Sequence, residues 1–247
     1  MEENSPPTLA ESIAAAQAWW HDAGVDLAFH DEPQTWLAPL PGDQATPSPA
    51  SSAVKTEQSP TRIGGDRSQW PRDVASFARW WLDEASLDPA MRGRIAPHGP
   101  ANPALMIVVP MPEVEDRETL LTGPQGRLLA NMVRAMGAAR DEVYLASALA
   151  RHTPMADWDH WLAAGMGEVL MHHIELVAPE RLIVLGRDVL PLLGHDPAQP
   201  APAVSELSIQ TRKLSWLSSY APGRLLEHPR YRAQLWRRWL DWTGTGT

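Results

Sequence analysis

Three carboxylates crowd into the run PMPEVED, Glu113, Glu115 and Asp116, and groups of this type can act on a water molecule. A positioned carboxylate can take a proton from water as a general base. Ser147, which ends the run EVYLAS, adds one hydroxyl that both donates and accepts. A hydrolytic centre would combine Glu113, Glu115 or Asp116 with Ser147. The simpler expectation is that Glu113 and Glu115 lie on an exposed loop. Other chemistries are narrowed by composition. The chain has no cysteine, which excludes disulfides, thiolate nucleophiles, iron–sulfur clusters and the usual structural zinc sites. No GxGxxG follows a strand pattern, and neither GxxxxGK(S/T) nor GxSxG occurs. Of the nine histidines, His172 and His173 are adjacent and so point to different helix faces, with His173 on an apolar stripe. No metal site and no cofactor are expected.

Net charge is −9, which argues against broad attraction to phosphate backbones. The charge is uneven, at −7 over residues 1–102 and −2 over 103–247. The second part could therefore present a local basic face, and Arg224, Arg230, Arg232, Arg237 and Arg238 form its densest group. A solvated helix surface is the plainer reading of that group.

The elements that must hold these residues follow from hydrophobic spacing. Thr8 and Glu11 form a capping box ahead of SIAAAQAWWHDAG, so a helix is expected over 9–23, anchored by Trp19 and Trp20. Residues 1–38 form this helix and an arm, and 39–70 form a flexible linker rich in Pro and Ser. The remaining 71–247 should fold as one domain. Its first helix spans 73–85, with Val74, Phe77, Trp80 and Trp81 at helical spacing. ALMIVV reads as a strand buried on both faces, and further strands are expected at 143–147, 182–185 and 214–219. Between them, Leu128, Leu129, Met132, Val133 and Met136 share a helix face that Gly137 ends. A single longer helix is expected from Trp158 to Val177, and a last one from Pro229 to Trp242 that buries Leu235, Trp236, Trp239 and Leu240. Alternating strands and helices imply an α/β three-layer sandwich with a central, mainly parallel four-stranded sheet. No apolar run of eighteen residues exists and the N-terminus lacks a signal pattern, so the expectation is a cytoplasmic protein without membrane contact.

The segments HGPANPALM, VED, GPQGRLL, the strand before Ser147, IELVAP, LIVLG and YAPGRLLEHP occur in the order found in one enzyme family. Over residues 98–242 the chain resembles the family-four branch of the uracil-DNA glycosylases, whose members usually carry an iron–sulfur cluster. The likeness extends weakly through AWWHDAGVD. It implies roles that can be placed residue by residue. Pro110 stands where the family keeps a carboxylate that handles the attacking water, and Leu121 where a Phe stacks on the base. Ser147 stands where an Asn reads the base edge, and Ala221 where a His stabilises the leaving uracil. Met111, Leu121 and Ser147 are then the base-pocket positions. Pro222, Gly223, Arg224 and Leu225 match a loop that touches and wedges DNA. Two positions of the missing cluster cysteines map near Arg151 and to Met166.

The resemblance therefore implies a glycosylase fold that has lost its reaction and serves as a binding or scaffold component of DNA repair or replication. An adaptor similar to the clamp loader psi subunit is one version, with the N-terminal arm, including QTWLAPL at 34–40, meeting a protein partner. The competing reading is an active DNA glycosylase of altered substrate or mechanism that relies on Glu113, Glu115 or Asp116.

Overall fold

A computed structural model describes residues 8–24, 62–209 and 212–244. The chain divides into two compact units, Met1–Thr56 and Glu57–Thr247. In the first, α1 (Leu9–Asp22) begins with the expected capping box, in which Thr8 accepts from Glu11 N–H and the Glu11 carboxylate reaches back to Thr8 N–H. None of its residues is buried, and Trp19 and Trp20 pack edge-to-face on each other while remaining exposed. They are not the core anchors that their spacing suggests. QTWLAPL lies outside the described residues.

The second unit starts earlier than residue 71. Ile63 and Trp70 are buried in the core, and Trp70 donates from its indole N–H to Gly64 O. Residues 62–70 thus belong to the folded body, and only the part of the linker before 62 lies outside the described residues.

The sheet has five strands in the order β2 (Val143–Ser147), β1 (Leu105–Val109), β3 (Arg181–Leu185), β5 (Arg212–Ser219) and β4 (Val204–Ile209). The first four are parallel, and β4 runs antiparallel to β5 at the edge. Hydrophobic spacing alone does not reveal this fifth strand. Its burial alternates along VSELSI, as suits an edge strand with one solvated face. Alternation along the buried strands divides the core in two. Met106, Val108, Tyr144, Ala146, Leu182, Val184 and Trp216 face one side, where α2 (Val74–Asp83), α4 (Trp158–Ala163) and α5 (Met166–Val177) cover them. Ile107, Val109, Leu145, Ile183 and Leu217 face the other, under α3 (Pro124–Ala135), α6 (Pro222–Glu227) and α7 (Pro229–Gly244). This is the three-layer sandwich that strand–helix alternation demands.

Two helices depart from expectation. The run from Trp158 to Val177 breaks at Gly165, whose φ of 102° starts α5 afresh. The break leaves Ala164 O to accept from Ile63 N–H at 2.9 Å, tying residues 62–64 to the body. In α7 Leu235 is buried and Trp239 packs on the core, but Trp236 is only half-buried and Leu240 is 50% exposed.

Candidate functional site

The chain leaves β1 toward β2 on one side and reaches β3 on the other, so the sheet has a switch point outside the carboxyl ends of β1 and β3. Open α/β sheets hold ligands at such a crevice. Here it is filled. Pro110 follows β1 and is buried, and Gly186 follows β3 with a φ of 128°. A Cβ on Gly186 would stand 2.6 Å from Pro110 Cγ and 3.8 Å from Ala221 Cβ. The pyrrolidine ring therefore lies on the glycine backbone, with the methyl of Ala221 beside them.

The loop after β1 corrects the expectation of exposed carboxylates. Glu113 is 4% exposed and Asp116 is 6% exposed, whereas Glu115 is on the surface. Helix α3 starts with Gly123 and Pro124 and has no side-chain cap of its own. Its orphan amides must find acceptors elsewhere. Glu113 supplies them: Oε1 accepts from Gly123 N–H at 3.1 Å and Gly126 N–H at 2.8 Å, and Oε2 accepts from Gln125 N–H at 2.9 Å. The start of α3 thus finds in Glu113 the acceptor that its own first turn lacks. Asp116 closes the same loop, accepting from the backbone N–H groups of Glu113, Leu121 and Thr122 and from the Thr122 hydroxyl, each at 2.8 Å. Both groups are buried acceptors engaged inside a folded loop.

The base-pocket positions are closed as well. Leu121 is 1% exposed and adopts a φ of 61°, unusual for a branched side chain. Its amide is held by Asp116, and its carbonyl accepts from Arg140 at 2.8 Å. Ser147 is 2% exposed, and its hydroxyl donates to Leu149 O at 2.7 Å, which turns its donor away from any ligand. Met111 is half-buried against the core and accepts from Thr153 N–H through sulfur.

Pro222–Glu227 form α6 rather than an open loop, with Ala221 as its N-cap. Pro222 and Leu225 are buried, Leu225 to 1% exposure. Leu225 is thus a core residue and does not present a wedge; Leu226, at 43% exposure, is the apolar side chain on the outside. Gly223 passes close to Gln125. Arg224 projects from the surface, with Glu227 at 4.0 Å. Beside it Tyr220 stacks on Tyr231 at 3.8 Å, and Arg230 lies 4.8 Å above Tyr231 while donating to its hydroxyl at 3.0 Å. The hydrogen bond from Arg230, with further help from Arg224, holds that phenol below its ordinary value. Arg232 and Arg238 are tied inward, to the carbonyls of Leu225 and Leu226 and of Ser218. The basic group therefore splits into the structural Arg232 and Arg238 and the outward Arg224, Arg230 and Arg237.

The positions mapped to cluster cysteines have other occupants. Arg151 pairs with the buried Asp88 at 2.8 Å, and Met166 is a core side chain. An iron–sulfur cluster needs thiolates, and these residues do not fit one. His172 and His173 take separate partners, Pro71 O and the Tyr144 hydroxyl. Among the described residues no helix is long and apolar enough to cross a membrane.

Sequence reasoning missed the capping work of Glu113 and Asp116. The signal was a helix opening on Gly-Pro with no cap, preceded by three carboxylates. The family model of the uracil DNA glycosylase superfamily matches residues 96–243. A search of curated proteins returns no match.

Proposed function

The chain belongs to the uracil-DNA glycosylase superfamily, and we propose that it keeps the fold without the reaction, acting as a binding component of DNA repair or replication. The observation that carries this reading is the engagement of Glu113. Its two oxygens hold three amides of α3. A general base must reach the proton it takes, and Glu113, on the same loop as Pro110, is buried with both oxygens already bonded to amides inside that loop. The other losses point the same way. Ala221 has no donor for a leaving anion, a deficit of about a hundredfold or more in rate. Leu121 and Ser147 are packed where a flipped base would need room and a polar edge.

The outer face of α6 and the start of α7 offer a surface for binding. Arg224 and Arg230 are outward cationic donors on this face, which suits contact with backbone phosphates. The net charge of −9 confines this attraction to the local face. The exposed Trp19 and Trp20 of α1 and the arm after it form the protein-binding part of the same reading. Anisotropy titrations with labelled single-stranded and duplex DNA test it: binding should weaken as salt rises, without release of a base. Absence of DNA binding at low salt would remove the DNA-contacting half of the proposal.

A further inference from the structure

We propose that the cleft between the carboxyl end of β5 and α7 binds a phosphate-bearing, nucleotide-sized ligand. It is a different surface from the outer face of α6 and does not depend on the reading given above. The cavity measures about 200 Å³, and Arg187, Arg238, Ser219 and Tyr220 stand in its wall. Arg238 is held in place by its bond from Nη1 to Ser218 O at 2.9 Å, and its remaining N–H groups have no partner among the described residues. Arg187 follows directly on Gly186 and is exposed, with no ion pair among the described residues. Ser219 is 7% exposed, and its hydroxyl is likewise unclaimed there. Among the described residues no carboxylate lines this cavity. Two guanidinium groups and a hydroxyl on a concave surface whose own wall carries no acid select an anion with several acceptor oxygens.

A second cavity of about 350 Å³ shares Arg187 and Ala201 with the first. Trp158 lines it, together with Asp159, Asp188, His195 and Gln199. A tryptophan beside polar side chains suits a heterocyclic base. A ligand with its phosphate between Arg187 and Arg238 could extend its ring past Arg187 toward Trp158. The phosphate could belong to a free mononucleotide or to a nucleic-acid strand.

Calorimetric titration of the full chain at low salt separates these sources. The probes are inorganic phosphate, a deoxynucleoside monophosphate, the matching nucleoside and a short single-stranded DNA. The monophosphate should bind and the nucleoside should not, and Arg187→Gln should weaken binding by about tenfold or more, as expected when a charged hydrogen bond is removed. Ser219→Ala should weaken it less, and the pair Arg224→Gln with Arg230→Gln should leave mononucleotide affinity unchanged. If only the DNA strand binds and Arg187→Gln weakens it, the phosphate is that of a strand. Equal binding of nucleoside and monophosphate, no binding by any probe, or an unchanged affinity in Arg187→Gln would overturn the proposal. Loss of mononucleotide binding in the Arg224 and Arg230 variant would also overturn it, because the site would then be the α6 face. Arg187 makes no contact that folding requires, so this variant reports on binding.

Discussion

Glu113 and Gly126 stand thirteen residues apart in the chain and share a hydrogen bond of 2.8 Å, from the Gly126 amide to the Glu113 carboxylate. The approach is close because residue 126 has no side chain. A Cβ there would lie 1.7 Å from Leu121 O. Residue types that suggest chemistry thus serve to start a helix and to hold a strained turn at Leu121.

The first prediction concerns the carboxylates. Glu113→Ala strands three amides, two of them buried, and should cost about 3 kcal/mol of stability, while Glu115→Ala on the surface should stay within about 0.5 kcal/mol. Urea denaturation of both variants measures the difference.

Gly126→Ala should be damaging for a steric reason. The added methyl meets backbone and not the end of a flexible side chain, so the loop or α3 must move, at about 3 kcal/mol. Thermal unfolding should show a large drop in Tm for Gly126→Ala and a small one for Gly244→Ala, which meets open space.

Most of the scaffold is legible in the residues themselves. β2 runs from Val143 to Ser147, as its apolar run indicates, because a strand buried on both faces leaves a continuous signature. β4 leaves only the weak alternation of VSELSI after a Pro-rich stretch, and it exists through its pairing with β5. The break at Gly165 is masked by apolar spacing that continues across it. The site is less legible. The partners of Glu113 lie ten to thirteen positions downstream, and only the folded loop brings them within reach. Leu225 matches a DNA-wedging position by order in the sequence, but its helix turns it inward. The losses at Pro110 and Ala221 are plain from residue type, yet their packing on Gly186 belongs to the tertiary fold.

A buried histidine predicts the response to acid. His173 is stacked on Phe77 at 4.0 Å and bonded to the Tyr144 hydroxyl at 2.9 Å. Burial pushes its pKa down to about 3, with His172 adding to the effect. The unfolded chain therefore binds a proton near pH 6.5 that the folded chain refuses. This contribution leaves stability intact above that pH and removes about 1.4 kcal/mol per unit as the pH falls from there toward 3. His98, also lowered by burial, acts in the same direction. Urea denaturation at pH 7.5 and 5.5 should show a smaller loss for His173→Gln than for the unaltered chain.

The outer arginines should govern DNA affinity. Replacing Arg224 and Arg230 together by Gln should weaken binding about tenfold at low salt and reduce the salt slope by about one for each phosphate that is no longer neutralised. Arg232→Gln should act mainly on stability, since its guanidinium holds the carbonyls of Leu225 and Leu226. Anisotropy titrations across a salt series distinguish the two effects.

The most direct test of a fold kept without its reaction is to incubate the purified chain with single-stranded and duplex DNA containing uracil, hypoxanthine or a mismatch, and to count abasic sites. The account predicts no abasic sites above the protein-free control on any substrate. Abasic sites that accumulate with the unaltered chain and fall sharply with Glu113→Gln or Ser147→Ala, each variant still folded, would contradict it.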